Sequence, residues 1–319
     1  MGSDVEGLAI RLQGVRHLYH KTAALKGIDL EIPTGVVFGL VGSNGAGKTT
    51  TLRILGTLLR PTGGVVEVLG MDLAKAPDEV RRRIGYMPDF FGVYQDLGVS
   101  EYLDFFAAAY GLKRAKRQQV VGDVLELTGL TGKRQEVIGS LSRGMQQRLG
   151  LARVLVHDPS LLLLDEPASG LDPRARVEMA EILVELRNMG KTILISSHIL
   201  PELQEMCDAF AILELGEILF TGTLKQLRAQ VGVDGHDVRV RLEGEFNDLG
   251  FLPDERPEVL GVEDLGDGAW RLMLDPAGAW RAWDVSAWLV GRGYKVRSLE
   301  ERTPNLQDAF MSMTKGDVT

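Results

Sequence analysis

Cysteine is nearly absent from this sequence: Cys207 is the only one in 319 residues. A single thiol closes no internal disulfide, which removes the small secreted folds held together by such bridges. It lies in an apolar stretch, where a free cysteine packs as a small hydrophobe. Clustered Cys/His spacing is missing too, so no zinc or iron–sulfur site is expected. No stretch reaches 18 uninterrupted apolar residues, and a chain of this kind is expected to have no membrane span of its own. Residues Met1 to Gly7 lack the basic start and apolar run of a secretory signal. Positive charge is also short, with 36 Lys+Arg against 44 Asp+Glu and a formal net charge of -8. Proteins that coat DNA or RNA through bulk electrostatics normally carry a basic domain. The expectation is a cytoplasmic protein without a nucleic-acid partner, for which a membrane partner stays open.

What the chain has in excess is glycine, 38 of 319 residues, against a background of roughly 7%. No three-residue period accompanies it, so collagen is excluded. The apolar content of 45% is ordinary for a globular protein, and the length accommodates one large domain and a smaller one. The negative charge is unevenly placed. Residues 1–230 hold 27 acidic and 26 basic side chains, whereas residues 231–319 hold 17 and 10. That shift, with the turn material Gly232-Val233-Asp234-Gly235, sets a domain boundary near 228–237. The adjoining basic residues Arg81–Arg83 and Lys113–Arg117 read as solvated helix faces or turns.

Residues 8–32 alternate as two strand-like pieces around His20-Lys21-Thr22. Val36 to Val41 is a continuous apolar run, the pattern of a strand covered on both faces. A helical pattern follows from Thr51 to Leu59, stopped by Pro61, Gly63 and Gly64, and Val65–Val68 resumes as a strand. Residues 97–130 read as largely helical, and a helix is expected from Arg143 to His157. Leu161–Leu164 forms a short buried strand closing on Asp165-Glu166-Pro167. Helix Ala175–Met189, strand Thr192–Ser196, helix Leu200–Cys207 and strand Phe210–Leu215 follow. Such alternation with uniformly apolar strands predicts an α/β domain with a mainly parallel sheet. Beyond the boundary, strands at 237–243, 259–265 and 269–274 and a helix at 280–290 predict a small α+β domain. Trp270, Trp280, Trp283 and Trp288 all lie there and read as its core.

Gly42-Ser43-Asn44-Gly45-Ala46-Gly47-Lys48-Thr49 matches the eight-position P-loop pattern, with Thr50 next, between a buried strand and a helix. Glycines let successive backbone N–H groups face one centre, and the helix turns its positive end towards the phosphates. Lys48 brings charge to the outer phosphates, and Thr49 offers an oxygen to magnesium. The four leucines place Asp165 at the carboxyl end of a buried strand, where a doubly wound sheet opens its ligand crevice. A carboxylate there is positioned to hold magnesium, directly or through water. Glu166 follows with a different side-chain direction and is placed to orient or deprotonate a water attacking the γ-phosphate. His198, just after a strand ending in Ile195-Ser196-Ser197, is placed for a polar contact to that phosphate or water.

Leu141-Ser142-Arg143-Gly144-Met145-Gln146-Gln147-Arg148 lies shortly before this strand. Together with the P-loop, Asp165-Glu166-Pro167-Ala168-Ser169-Gly170-Leu171-Asp172-Pro173 and Ser197-His198, it resembles the motifs of the nucleotide-binding subunits of ABC transporters, in the same order over residues 8–230. The resemblance implies a P-loop NTPase fold of the ABC type, with a helical subdomain at about 90–155 and a C-terminal accessory domain at 231–319. It implies ATP and Mg2+ as cofactors and a head-to-tail dimer, homodimeric or pseudo-symmetric, with Ser142 and Gly144 reaching the γ-phosphate in trans. Tyr19 resembles the aromatic residue that stacks on adenine, and Asp172 the D-loop aspartate that couples two protomers. Two departures stand out. Arg143 and Met145 replace the commoner Gly and Gln of the signature, and Asp89, after Gly85-Tyr86-Met87-Pro88, stands where the Q-loop glutamine normally contacts the metal. Pro304-Asn305-Leu306-Gln307-Asp308-Ala309-Phe310 resembles a motif near the end of subunits from ABC-2-type exporters.

The implied function is an ATPase that energises a separate integral-membrane permease, peripheral on the cytoplasmic face of the membrane. A soluble ABC ATPase acting on ribosomes or DNA is the rival reading. Against it, one nucleotide domain is present rather than two fused ones, and no long coiled-coil insertion separates Lys48 from Ser142. A regulatory ATP switch is a third reading, which the presence of both Glu166 and His198 disfavours.

Overall fold

The computed structural model of the chain describes residues 7–89, 92, 94–198, 206–231, 236–244, 248–275 and 278–302. The turn at 232–235, residues 200–205 of the expected 200–207 helix, and the 304–310 motif lie outside the described residues. The chain divides into two compact units, Met1–Thr223 and Leu224–Thr319, a division earlier than the charge shift at 230.

The first unit begins with a long hairpin of β1 (Leu8–Tyr19) and β2 (Thr22–Pro33). His20 at φ +51 makes the turn. β3 (Val37–Val41) follows with all five residues buried. α1 runs from Lys48 to Leu55, starting and stopping several residues before the helix expected at 51–59. Its stop comes from the chain itself: Gly56 caps it and Thr57 turns to φ +61, so Pro61 is not what ends it. β4 (Gly63–Val68) and the two-residue β5 (Met71–Asp72) then join the hairpin in an antiparallel sheet of order β2-β1-β4-β5.

α2 (Pro77–Arg83) carries the arginine cluster on its exposed last turn and leads into β6 (Ile84–Met87). Three helices follow, α3 (Val99–Ala109), α4 (Arg114–Leu127) and α5 (Arg143–Leu155). Val99, Tyr102, Leu103 and Ala107 are the buried residues of α3, the spacing of one face of a 3.6-residue helix. β7 (Leu161–Asp165), α6 (Pro173–Asn188), β8 (Thr192–Ser197), β9 (Ala209–Glu214) and β10 (Glu217–Gly222) complete the unit. The central sheet has the order β10-β9-β3-β8-β7-β6. β9, β3, β8, β7 and β6 are parallel, and only β10 is antiparallel to its neighbour. β3, β7 and β8 are buried along their whole length, covered on both faces, which is why they are apolar without alternation. Cys207, just before β9, is partly buried, and burial pushes its thiol up to about 12.

The second unit opens with a helix, Leu224–Val231. Four antiparallel strands follow in the order β12-β13-β11-β14, where β11 is His236–Glu243, β12 Val259–Gly266, β13 Ala269–Leu274 and β14 Lys295–Arg302. A helix at Ala282–Gly291 packs Ala282, Val285 and Leu289 into a core with Val238, Val240, Leu272 and Leu274. Trp270, Trp280 and Trp288 border that core. Trp283 does not: it is 67% exposed, because its position on the helix turns it away from Val285 and Leu289. The expectation of four core tryptophans is corrected to three.

Candidate active site

Four parallel strands deliver their carboxyl ends to one edge of the central sheet. β3 runs into the glycine-rich loop, β7 ends on Asp165, β8 ends just before His198, and β6 is followed by Asp89. That edge is where open α/β sheets bind ligands. A cavity of about 340 Å³ opens there, lined by Ser43, Asn44, Gly45, Gly47, Lys48, Thr49, Thr50, Asp89, Glu166, Ser169 and His198, with Ala24 from β2.

The loop has the shape it does because side chains are missing where the backbone runs closest. A Cβ on Gly42 would lie 2.2 Å from the Leu213 carbonyl oxygen of β9. Gly47 sits at φ +114, and a Cβ there would lie 2.7 Å from the Ala24 carbonyl oxygen. α1 begins at the next residue, so its unpaired N–H groups and positive end face the cavity. Ala46, also in the loop, is buried and does not line the cavity.

Lys48 is almost wholly buried, and its ammonium folds back over the loop. Nζ donates to the Gly42 carbonyl at 2.7 Å and the Ser43 carbonyl at 3.2 Å, and pairs with Glu166 Oε1 at 3.4 Å. Glu166 Oε2 in turn meets His198 Nδ1 at 2.7 Å. The Glu166 backbone stands at φ +52, a left-handed conformation that costs a non-glycine residue on the order of 1–3 kcal/mol. It swings the carboxylate away from the buried strand into the cavity. Asp165 stays below, 1% exposed, with Oδ1 accepting from Thr49 Oγ1 at 3.3 Å and Ser196 Oγ at 2.6 Å. Under the site, burial first and the Asp165 charge second raise the Tyr86 phenol above its ordinary value.

Thr49 and Asp165 fit magnesium chemically. Both offer hard oxygens, 3.3 Å apart, the donor type that magnesium takes from a protein alongside substrate phosphates.

Other residues singled out in the sequence lie elsewhere in the unit. Tyr19 ends β1 with 40% exposure, its ring edge-on to His17 at 4.5 Å, and does not line the cavity. Ser142 is the N-cap of α5 and accepts the Met145 N–H at 3.3 Å. Gly144 packs α5 against α6, since a Cβ there would lie 2.9 Å from that of Ala175. Asp172 caps α6 by accepting the Ala175 N–H at 2.9 Å. Neither Ser142, Gly144 nor Asp172 lines the cavity. Arg143 donates to the Ser169 carbonyl at 3.2 Å and lies against Gly170, whose φ is +67.

Three site residues escaped the sequence reading, Ala24 and Ser169 on the cavity wall and Ser196 beneath it. Ser196 had a legible signal, since a hydroxyl in a strand buried on both faces needs partners. Nothing in the sequence marked Ser169 apart from its neighbours.

A family model described as ABC transporter matches residues 25–169. The daunorubicin/doxorubicin resistance ATP-binding protein DrrA of Streptomyces peucetius is 36% identical over 316 residues, 96% of this chain and 92% of that protein. The Nod factor export ATP-binding protein I of Cupriavidus metallidurans is 34% identical over 307 residues, 96% of this chain and 97% of its own length. Among solved structures, an ATP-binding subunit of an ABC transporter superposes with a TM-score of 0.63 at 31% identity, covering 70% of this chain and 93% of that one. The cbiO1 protein of Clostridium perfringens, part of an ABC transporter complex, gives 0.65 at 28% identity, covering 72% and 94%. With the phosphate loop, the paired carboxylates and a relative matched over nearly its whole length, the chain belongs to the ATP-binding subunits of the ABC transporter family.

Proposed function

We propose that the chain hydrolyses ATP to drive a separate membrane permease, in the direction of export. The observation that carries the hydrolytic part is the Glu166 carboxylate, held between Lys48 and His198 at the mouth of the phosphate-loop cavity. The loop amides, with Ser43 and Asn44 on the wall and Thr50 in the first turn of α1, bind the phosphates. Lys48 moves from Glu166 to the outer phosphates when they arrive, which frees the carboxylate to orient or deprotonate water. His198 steadies that carboxylate and contacts the γ-phosphate. Thr49 and Asp165 would hold magnesium, with Asp89 as a further candidate, and the ion would supply charge neutralisation at the phosphate oxygens.

A second copy, or a similar subunit, completes each site. Ser142 and Gly144 stand at the start of α5, and a helix start favours an anion. Neither lines this chain's own cavity, which fits a role towards a partner's nucleotide. Asp172 couples the pair, and Tyr19, solvent-facing at the end of β1, stacks on adenine. Among the described residues no helix is long and apolar enough to cross a membrane, which supports a permease on another chain and a peripheral place at the cytoplasmic face. Export is supported by the two relatives named for resistance and for Nod factor export.

The test is Glu166→Gln in the purified full chain. ATP binding by equilibrium titration should be retained while steady-state turnover falls about 100-fold or more. Turnover close to wild type removes the assignment of Glu166. For direction, the chain is recovered from membranes with its bound permease and reconstituted in vesicles. Cargo should accumulate on the side away from the ATPase.

A further inference from the structure

The two acidic residues of the site differ in orientation, and one hydroxyl touches both, the carboxylate of Asp165 and the backbone amide of Glu166. Ser196 lies on β8 directly opposite Asp165 in the parallel register and has no exposed surface. Its Oγ is 2.6 Å from Asp165 Oδ1 and 3.0 Å from the Glu166 nitrogen. The direction of these bonds follows from chemistry. The Glu166 N–H can only donate, so Oγ accepts it. An ionised Asp165 can only accept, so the hydroxyl proton goes there. A polar chain results, from the Glu166 amide through the Ser196 hydroxyl to Asp165.

β7 ends at Asp165, so the amide of Glu166 lies beyond the strand's own residues. Besides Oγ, that amide also meets the Ser196 carbonyl at 3.2 Å. This amide belongs to a residue at φ +52, a conformation that neighbouring contacts must hold in place. On the other side, Asp165 Oδ1 shares its second hydrogen bond with Thr49. A hydroxyl that lends a lone pair to a metal can keep its proton on the carboxylate, so Thr49 and Ser196 would hold Asp165 together.

We propose that Ser196 is a positioning residue for ATP hydrolysis, its proton fixing the metal-site carboxylate of Asp165 and its lone pair fixing the backbone that aims Glu166. The proposal rests on the reading of Glu166 as the catalytic carboxylate and assigns the device that orients it. A merely structural serine would affect stability. A positioning serine governs turnover and metal requirement while leaving nucleotide affinity alone, because neither of its partners is a loop amide.

The test compares Ser196→Ala, Ser196→Thr and Ser196→Val with wild type in the purified full chain, with Glu166→Gln alongside. Thr and Val share one shape and differ in the hydroxyl, so any crowding from the added methyl cancels between them. Ala adds no volume and gives the same comparison against wild type. We expect Ala and Val to lose about tenfold or more in kcat and to need several-fold more Mg2+ for half-maximal nucleotide binding, the usual consequence of removing an outer partner of a metal-site group. KM for ATP should move by less than about threefold, as for loss of an interaction that acts in the transition state. Thr should stand above Val in both kcat and metal affinity. If Ala matches wild type, or Val matches Thr, in both readouts while Glu166→Gln is inactive, the role of Ser196 is overturned and that of Glu166 stands. If Glu166→Gln turns over like wild type, the reading of Glu166 falls, and the magnesium shift separately reports whether Ser196 holds Asp165.

Discussion

At the scale of single residues, the site depends on atoms that are absent as much as on those present. Gly42 is the clearest case, because a methyl group there would lie 2.2 Å from the backbone oxygen of Leu213. Backbone cannot swing aside as a long side chain can, so either β9 or the loop must move. Gly42→Ala is expected to destabilise the protein by about 1–3 kcal/mol, as overpacking does, and to abolish nucleotide binding. Thermal melting and nucleotide titration of the variant check both halves. Gly170 makes a contrast: its close neighbour is the Arg143 guanidinium, the far end of a flexible side chain. The same contact gives a physical account of the arginine that replaces glycine in the signature, since it spans from the start of α5 to the Ser169 carbonyl. The residues of the phosphate loop, Asp165, Glu166 and His198 were legible because their chemistry is tied to fixed spacings. For Ser196 the sequence signals only that a buried strand hydroxyl needs partners; which partners depends on the register between β7 and β8.

At the scale of elements, the central strands were read closely and the short connecting ones were not. β3, β7 and β8 announce themselves by uninterrupted apolar residues. β5, with two residues, and β6, with a glycine and a tyrosine in four, have too little pattern to be seen. The antiparallel sheet carrying β4 and β5 was therefore only partly foreseen. α5 also carries a pH-sensitive feature just past its end. His157 stacks on Tyr110 with ring centroids 3.9 Å apart, and its Nε2 meets the Ile84 carbonyl at 2.9 Å. The carbonyl only accepts, so Nε2 carries the proton and Nδ1 is left without one, buried and unpartnered. Burial lowers the imidazole below its ordinary value, so the unfolded chain takes up a proton more readily than the folded one. The resulting stability is complete above the unfolded value, near 6.5, and is lost as pH falls towards the lower folded value. Melting temperature should therefore drop as pH falls below about 6.5. His157→Phe should flatten that part of the profile, and an unchanged slope would assign it to other groups.

At the scale of the whole molecule, each compact unit has its own apolar core. One gathers around Phe38, Leu40 and Leu163, the other around Val240, Leu272 and Leu289. Their separation was visible beforehand in the charge distribution, though compactness places the division at Thr223 rather than at 230. The charge change and the packing change need not coincide, since the Leu224–Val231 helix joins the second unit while its charges belong to the more neutral stretch. Calorimetry is expected to resolve two transitions rather than one, which two-state analysis would not describe. Adding ATP with magnesium should raise the transition of the unit that binds it by mass action and leave the other in place. A single transition, or an equal shift of both, would show that the units unfold together. The strand order has a further consequence, in time rather than in space. β3, which carries the phosphate loop, lies between β8 and β9, strands that follow it by some 150 residues or more of chain. During synthesis the loop is made well before the strands that flank it and waits for them on the order of 10 s at ordinary ribosomal rates. Until β9 arrives with Leu213, an emerging chain carries the ATP motif without the ATP site.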